Sequence, residues 1–397
     1  MKAIYEAEQV NPDTLNLDAV KKMIHETNRV FSKAVNLGIA DNLIPEAMAR
    51  SLDYDTFMFS GLKVYNQIKE GSLKLRNDDG IVKSFDKFMQ DVKVIDDTYN
   101  RNYLQAEYNF ALHSAQAAAR WADVEADGDE YNLQYRTAAD DRVRDEHAIL
   151  NETTLPPSDR FWDFYYPPNG WNCRCIALQV LKEKFPQSNP IDAMEKGNLA
   201  TTKIGRDGVD KGAIFRFNPG KQKQIFPPSH PYRSSKCTNC DNAKLQLSAK
   251  IPQGEKCQAC KILQKEHQKS KQAIERKKYL NEMKPLLEKS VEKQTDSGII
   301  SIEFTKKGNK HLYNDTLGRT KVISKDDLKK LDVFLKHASF VKSANLYKVR
   351  KDNITKFYYF KDKDKELYYN VAEERIKLKD GKETVHRFLY SITSSVK

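Results

Sequence analysis

Between residues 17 and 39 the apolar side chains Val20, Ile24, Phe31 and Val35 recur at intervals of four and seven. That spacing lines one face of an α-helix, and Gly38 sits near its expected stop. A second helical pattern opens at Ser84, a residue type that favours helix starts. It places Phe85, Phe88, Val92 and Ile95 on one face and continues through Tyr99, Tyr103, Ala106 and Phe110 into Ala115-Gln-Ala-Ala-Ala119. Small side chains there let another helix approach closely. Asp127-Gly128-Asp129 breaks the run. Residues 1 to about 125 therefore read as a helical scaffold, with His25 and His113 as ordinary surface or half-buried histidines.

Further along the period changes. Residues 176–181 alternate like a strand. Residues 183–235 are rich in Pro, Gly, Asn and basic side chains, as in Asn218-Pro219-Gly220 and Pro227-Pro228-Ser-His230-Pro231, and read as irregular, extended chain with little core of its own. Residues 262–292 are charged and lack proline until Pro285, the pattern of a solvated helical connector that Gly298 ends. From Ile299 two helical patterns precede four strand-like runs, near 346–349, 356–360, 367–371 and 385–392, with Asp380-Gly381 turning into the last. No solenoid-type repeat is visible. At 397 residues the expectation is an α+β multidomain chain. Its parts are a helical scaffold over 1–130, a core with an irregular extended segment over 131–235 and a cysteine knuckle over 236–262. A helical linker over 263–295 then leads to a module of two helices plus a four-stranded antiparallel sheet over 296–397.

Charge and cysteine spacing sharpen this picture. The net charge is +12, and residues 296–397 alone hold 23 Lys and Arg against 14 Asp and Glu. A basic module of that size suits a polyanion, nucleic acid first, although a solvated lysine-rich surface has the same composition. No apolar run reaches membrane-spanning length, and the N-terminus shows no apolar stretch followed by a cleavage site, so the expected starting compartment is a cytoplasm and no membrane partner is expected. In that reducing setting six cysteines do not read as three disulfides. Cys237-Thr-Asn-Cys240 and Cys257-Gln-Ala-Cys260 instead form two thiolate pairs that together fill a tetrahedral Zn²⁺ site. Such a four-cysteine site has no open position and serves stability. The strand and helix context of a redox Cys-x-x-Cys pair is missing.

The densest polar stretch is residues 136–175. Arg136-Thr-Ala-Ala-Asp140-Asp141-Arg142-Val-Arg144-Asp145-Glu146-His147 reads as a charged helix opening. Tyr166-Pro167-Pro168-Asn169-Gly170-Trp171-Asn172-Cys173-Arg174-Cys175 reads as a rigid turn that delivers a Cys-x-Cys pair back toward it. His147, Cys173 and Cys175 are acceptable zinc ligands, with Asp140 or Asp141 as a fourth. A packed turn with buried cysteines and an ion-pair network fits the same residues. Spacing leaves both readings open.

Residues 136–181 resemble the core of the phage Mu F-like head morphogenesis family, minor head proteins found beside the portal of tailed phages. The likeness is carried by Thr137, Asp140 or Asp141, Arg142, Val143, Arg144 and His147, and then by Pro168, Gly170, Trp171, Cys173, Arg174 and Cys175. The helical region from about residue 62 to 121 is similar to the N-terminal part of these proteins. The resemblance implies a minor head protein with portal and capsid proteins as partners, located in the virion interior or the bacterial host cytoplasm and needed for capsid assembly or DNA delivery.

The C-terminal module resembles the barnase–EndoU–colicin–RelE nuclease superfamily, in the branch fused to phage head proteins. The residues carrying this likeness are Lys310-His311, Arg319 and the last strand, Arg387-Phe-Leu-Tyr390-Ser391-Ile-Thr393. The resemblance implies a metal-independent endoribonuclease, a toxin or effector that leaves 2′,3′-cyclic phosphate ends. Such cleavage needs a base, an acid and cations for the developing phosphorane charge. His311 suits acid or base, with His337 and His386 as rivals. Arg319, Lys356 or Arg387 suits the phosphate. Ser391 and Thr393 share one face of the last strand and suit substrate orientation, and Tyr358 and Tyr390 suit base stacking. A second reading has the basic module bind RNA or packaged DNA, or the portal, and cleave nothing.

Overall fold

The computed structural model describes residues 2–40, 42–233, 236–237, 240–241, 251–283, 290–305, 307–308, 345–351, 355–361, 368–377, 381–393 and 396. They form two compact units, Met1–His267 and Gln268–Lys397.

The first unit opens with helices α1 (Lys2–Ala7), α2 (Asp18–Ile39), α3 (Glu46–Ser72), α4 (Phe85–Asp97) and α5 (Leu104–Asp127). Ser84 caps α4 as expected, its hydroxyl accepting from the Lys87 amide at 3.4 Å. The pattern read as one long helix is interrupted only by a wider π-helical turn, Thr98–Tyr103, which holds Tyr99 in the core. Gly38 does lie at the end of α2, but its main role is contact. A Cβ there would sit 2.6 Å from the Leu112 carbonyl oxygen and 2.7 Å from Ala115 Cβ. The alanine-rich face of α5 thus lets α2 pack at backbone distance.

After α5, strand β1 (Asn132–Arg136) pairs antiparallel with β2 (Thr154–Leu155) on one side and β3 (Ile176–Val180) on the other. Two single-turn helices lie in the connections, α6 (Asp145–Ala148) and α7 (Phe161–Phe164). Leu133, Tyr135, Leu155, Trp162 and Tyr166 build a second core with Trp121 of α5. The charged helix opening expected before His147 is mostly turn. Ala139 has φ +53°, and Asp140 accepts from the Arg142 amide at 3.1 Å, so only the last turn is helical.

Residues 183–235 were expected to contribute little core, and here the structure differs. They contain α8 (Pro190–Thr201), capped by Asn189, and α9 (Pro219–Gln222), and then an extended strap that enters the helical core. Phe215, Phe217, Ile225, Phe226 and Tyr232 are all buried among α2, α3 and α5. Phe226 stacks on Phe59 with centroids 3.6 Å apart. Buried extended backbone must find hydrogen-bond partners, and Asp55 of α3 supplies them. Its Oδ2 accepts from the Ile225 and Phe226 amides at 3.0 Å each, and its Oδ1 accepts from Arg233. Ser114 donates to the Ile225 carbonyl at 2.6 Å. Beside this, buried Lys63 and Glu107 pair at 2.7 Å, and Tyr232 donates to Glu107 at 3.1 Å. The short pair β4 (Lys236–Cys237) and β5 (Cys240–Asp241) follows, then α10 (Gln253–Met283).

In the second unit six strands form one sheet, ordered β6 (Ser290–Thr295), β7 (Gly298–Glu303), β11 (Glu383–Thr393), β10 (Tyr368–Lys377), β9 (Lys356–Lys361) and β8 (Asn345–Lys351). All neighbours are antiparallel except β7 and β11, which run parallel. The four expected strands are β8 to β11. The helical linker expected over 263–295 ends earlier, because Ser290–Thr295 is a strand with Val291, Lys293 and Thr295 on its buried face. Gly298, at φ +105°, closes the tight turn into β7. The two expected helices fall mainly on residues outside the described ones.

The Asp55 carboxylate gives the first prediction. Asp55→Ala leaves two strap amides and Arg233 without this acceptor and should destabilise the first unit by about 3–5 kcal/mol. Its unfolding is measured in urea by tryptophan fluorescence, since Trp121, Trp162 and Trp171 all lie in that unit. A loss under about 1 kcal/mol would show that the strap is held by apolar packing alone.

Candidate metal centre and polar cluster

His147 reaches its place because the turn at 137–144 brings α6 back over the end of β1. Asp140 anchors that turn. It pairs with Arg174 through two contacts of 2.6 Å, and these hydrogen bonds hold its carboxyl well below the usual range. From the other side, a cis Pro167-Pro168 bond, Asn169 and Gly170 lead into a turn in which the Cys173 amide donates to the Gly170 carbonyl at 3.1 Å. Asn172 takes φ +59°, and the chain enters β3 directly after Cys175. Trp171 fixes this loop on the helical core, with ring centroids 5.1 Å from Phe110, 5.1 Å from Phe215 and 5.8 Å from His230.

Three ligand atoms converge there. His147 Nδ1 lies 3.6 Å from Cys173 Sγ and 4.0 Å from Cys175 Sγ, and all three residues are buried. With Zn–S near 2.3 Å and Zn–N near 2.0 Å, the edges of a tetrahedral site are about 3.6 Å for N···S and about 3.8 Å for S···S. The observed separations fit those edges. The Cys173 thiol is held low, chiefly by its hydrogen bond with Cys175 and further by His147, while that same sulfur contact and burial push Cys175 up. Metal ligation takes the thiolate form, so binding a cation here would release protons. Fully buried Tyr135 lies against both sulfurs, its phenol pushed up by burial first and by the sulfur charge second, and it donates to Asn169 Oδ1 at 3.0 Å. Asp140, expected as a fourth ligand, is instead committed to Arg174.

The four cysteines of the expected knuckle fall on β4, β5 and α10. Cys237 and Cys240 are directly opposite in the β4–β5 pair, and Cys257 and Cys260 lie one turn apart near the start of α10. Cys260 is buried and Cys257 half-buried.

In the second unit, His311, Arg319 and His337 lie outside the described residues. Lys356, Tyr358 and Arg387 do come together, around a residue the sequence reading passed over. Glu373 Oε2 accepts from the Tyr358 hydroxyl at 2.9 Å and from Arg387 Nε at 2.7 Å, and Lys356 pairs with Glu373 across β9 and β10. Burial raises the Glu373 carboxyl, but the hydrogen bonds from Arg387 and Tyr358 outweigh it and the net shift is downward. Ser391 and Thr393 stand on the other face of the sheet. Tyr390 is an extra residue in β11, so Arg387 pairs with Glu373 while Ser391 pairs with Asn370. Asn370 donates to the Ser391 hydroxyl at 3.3 Å, and Tyr390 packs on Phe357 of that face. His386 sits opposite Arg387 in facing and contacts Glu303 at 3.2 Å.

With this geometry in place, comparison with known proteins becomes specific. Residues 79–178 match the family described as Phage Mu protein F like protein. That window holds α4, α5, β1 and all three ligands of the metal centre. The putative capsid assembly protein F of Escherichia phage Mu is 44% identical over 124 residues, 29% of this chain and 28% of that protein. The Mu-like prophage FluMu F protein of Haemophilus influenzae is 27% identical over 111 residues, 28% of this chain and 26% of that protein. The chain thus spans little more than a quarter of the length of these relatives. No solved structure matches. The family match does not reach the cysteine knuckle or the second unit. No described helix is long and apolar enough to cross a membrane.

The Mu F-like segment should hold about one equivalent of zinc by itself. In the full chain carrying Cys257→Ser and Cys260→Ser, elemental analysis after desalting should find that equivalent, and adding His147→Ala should remove it. Equal zinc in both proteins would exclude this centre.

Proposed function

We propose that this chain is a phage or prophage capsid assembly protein of the Mu F type, acting at the portal. The match over residues 79–178 carries that reading. In it, the helical unit is the docking body, and zinc at His147, Cys173 and Cys175 fixes the loop that Trp171 anchors. A second structural zinc at Cys237, Cys240, Cys257 and Cys260 staples the chain before α10. The hairpin-and-helix arrangement of those four positions supports this assignment.

The second unit is proposed to be a metal-independent ribonuclease effector. Its support is the Tyr358–Glu373–Arg387 cluster with Lys356, in a module where Lys and Arg outnumber Asp and Glu. An arginine fixed through Nε can direct its Nη groups at two phosphate oxygens, and Glu373 supplies that fixation. Lys356 adds a second cation. His311 would move the proton: the 2′-oxygen attacks phosphorus, the 5′-oxygen leaves with a proton, and a 2′,3′-cyclic phosphate and a 5′-hydroxyl result. The face reversal at Tyr390 leaves Ser391 and Thr393 away from this cluster, with Ser391 packed against Asn370 and Thr393 opposite Tyr368.

Incubating the full chain with total bacterial RNA and tRNA tests the proposal. Cleavage to cyclic-phosphate ends, reduced about 100-fold or more in His311→Ala and in Arg387→Ala, is the expected result. The excess of lysine and arginine favours a second reading, a nucleic-acid clamp. Salt-sensitive binding without cleavage, the same in both variants, would establish it and remove the nuclease.

A further inference from the structure

We propose that the metal held by His147, Cys173 and Cys175 keeps its fourth coordination position open for a small oxyanion from solution, flanked by Arg142 and Arg144. This rests on the three-ligand reading of the site given above.

Among the described residues, the convergent group stops at three ligands. The nearby carboxylates do not complete it. Asp140 is bound to Arg174 through both oxygens, and Asp141, Asp145 and Glu146 face solvent. The three ligands line one cavity of about 20 Å³ with Arg142, Arg144 and Arg174, room for about one water-sized body, which is the space for the cation itself. The exposed side chains of Arg142 and Arg144 rim it, so a fourth ligand would enter from solvent. A Cβ at Gly170 would meet Arg144 Nη1 at 3.2 Å, so the guanidinium lies directly against this glycine. Arg144 is held at the rim by donating to the Trp171 carbonyl.

Charge selects the ligand. A divalent cation with two thiolates and a neutral imidazole carries no net charge, unlike a four-thiolate site, which would be doubly negative. Arg142 and Arg174 share Asp140, so with Arg144 the three guanidiniums outweigh that carboxylate by two charges, and guanidinium geometry suits oxyanions. Three protein ligands plus one exchangeable position is also the arrangement of zinc sites that bind ligands from solution, whereas closed four-ligand sites are structural.

The test uses the full chain with Cys257→Ser and Cys260→Ser, loaded with Co²⁺, whose visible bands report coordination. Inorganic phosphate is titrated in at constant ionic strength. The expected result is a saturable shift of the cobalt bands, with affinity weakened about tenfold or more in Arg144→Gln and in Arg142→Gln. Bands that vanish with His147→Ala but do not move at any phosphate concentration would overturn the open position and leave the three-ligand centre standing. The absence of thiolate-to-cobalt absorption sensitive to His147→Ala would overturn the centre itself, and this proposal with it.

Discussion

Extended backbone buried among helices has no neighbouring strand to take its amide protons, and the first unit depends on how that problem is solved. Asp55 accepts two of those protons and the Arg233 guanidinium. Because the strap is held there, Phe226 can stack on Phe59, and Phe215 and His230 can form the wall against which Trp171 packs. Trp171 in turn lies two positions before Cys173. A carboxylate in α3 is thus connected, through a chain of packed rings, to the position of two sulfurs.

The parts of this fold that were legible in the sequence are those with a period. α2, α4 and α5 repeat their apolar residues at helical spacing, and β8, β9 and β11 begin and end close to their alternating runs, while β10 starts where expected and runs on to Lys377. The strap has no period: Phe215, Phe217, Ile225, Phe226 and Tyr232 are set by the shape of the groove they fill, so composition alone marked the segment as irregular chain with little core of its own. β6 was missed because its buried face is Val291, Lys293 and Thr295, with a single aliphatic side chain to signal a strand.

Which candidate site residues the fold brings together depends on contacts that spacing does not encode. His147 and Cys173 are 26 positions apart, and no spacing rule ranks such a pair above two cysteine doublets, yet the turns around β1 bring them together. Glu373 gave no signal because one glutamate in a charged strand looks like any other until its partners on β9 and β11 are known. Ser391 and Thr393 were assigned with Arg387 by assuming a period of two along β11. One extra residue, Tyr390, breaks that period and sends the two ends of the strand to opposite faces.

The loop between His147 and Cys173 also has a mechanical meaning. A cation joining them would close a ring of chain that contains β2 and α7, and closing a loop of this size restricts the unfolded chain by about 3–4 kcal/mol in the entropic account of cross-links. Unlike a disulfide, this closure would respond to the free concentration of the metal rather than to redox potential. A chain built this way would be slack without the metal and stiffened by its binding without any covalent step.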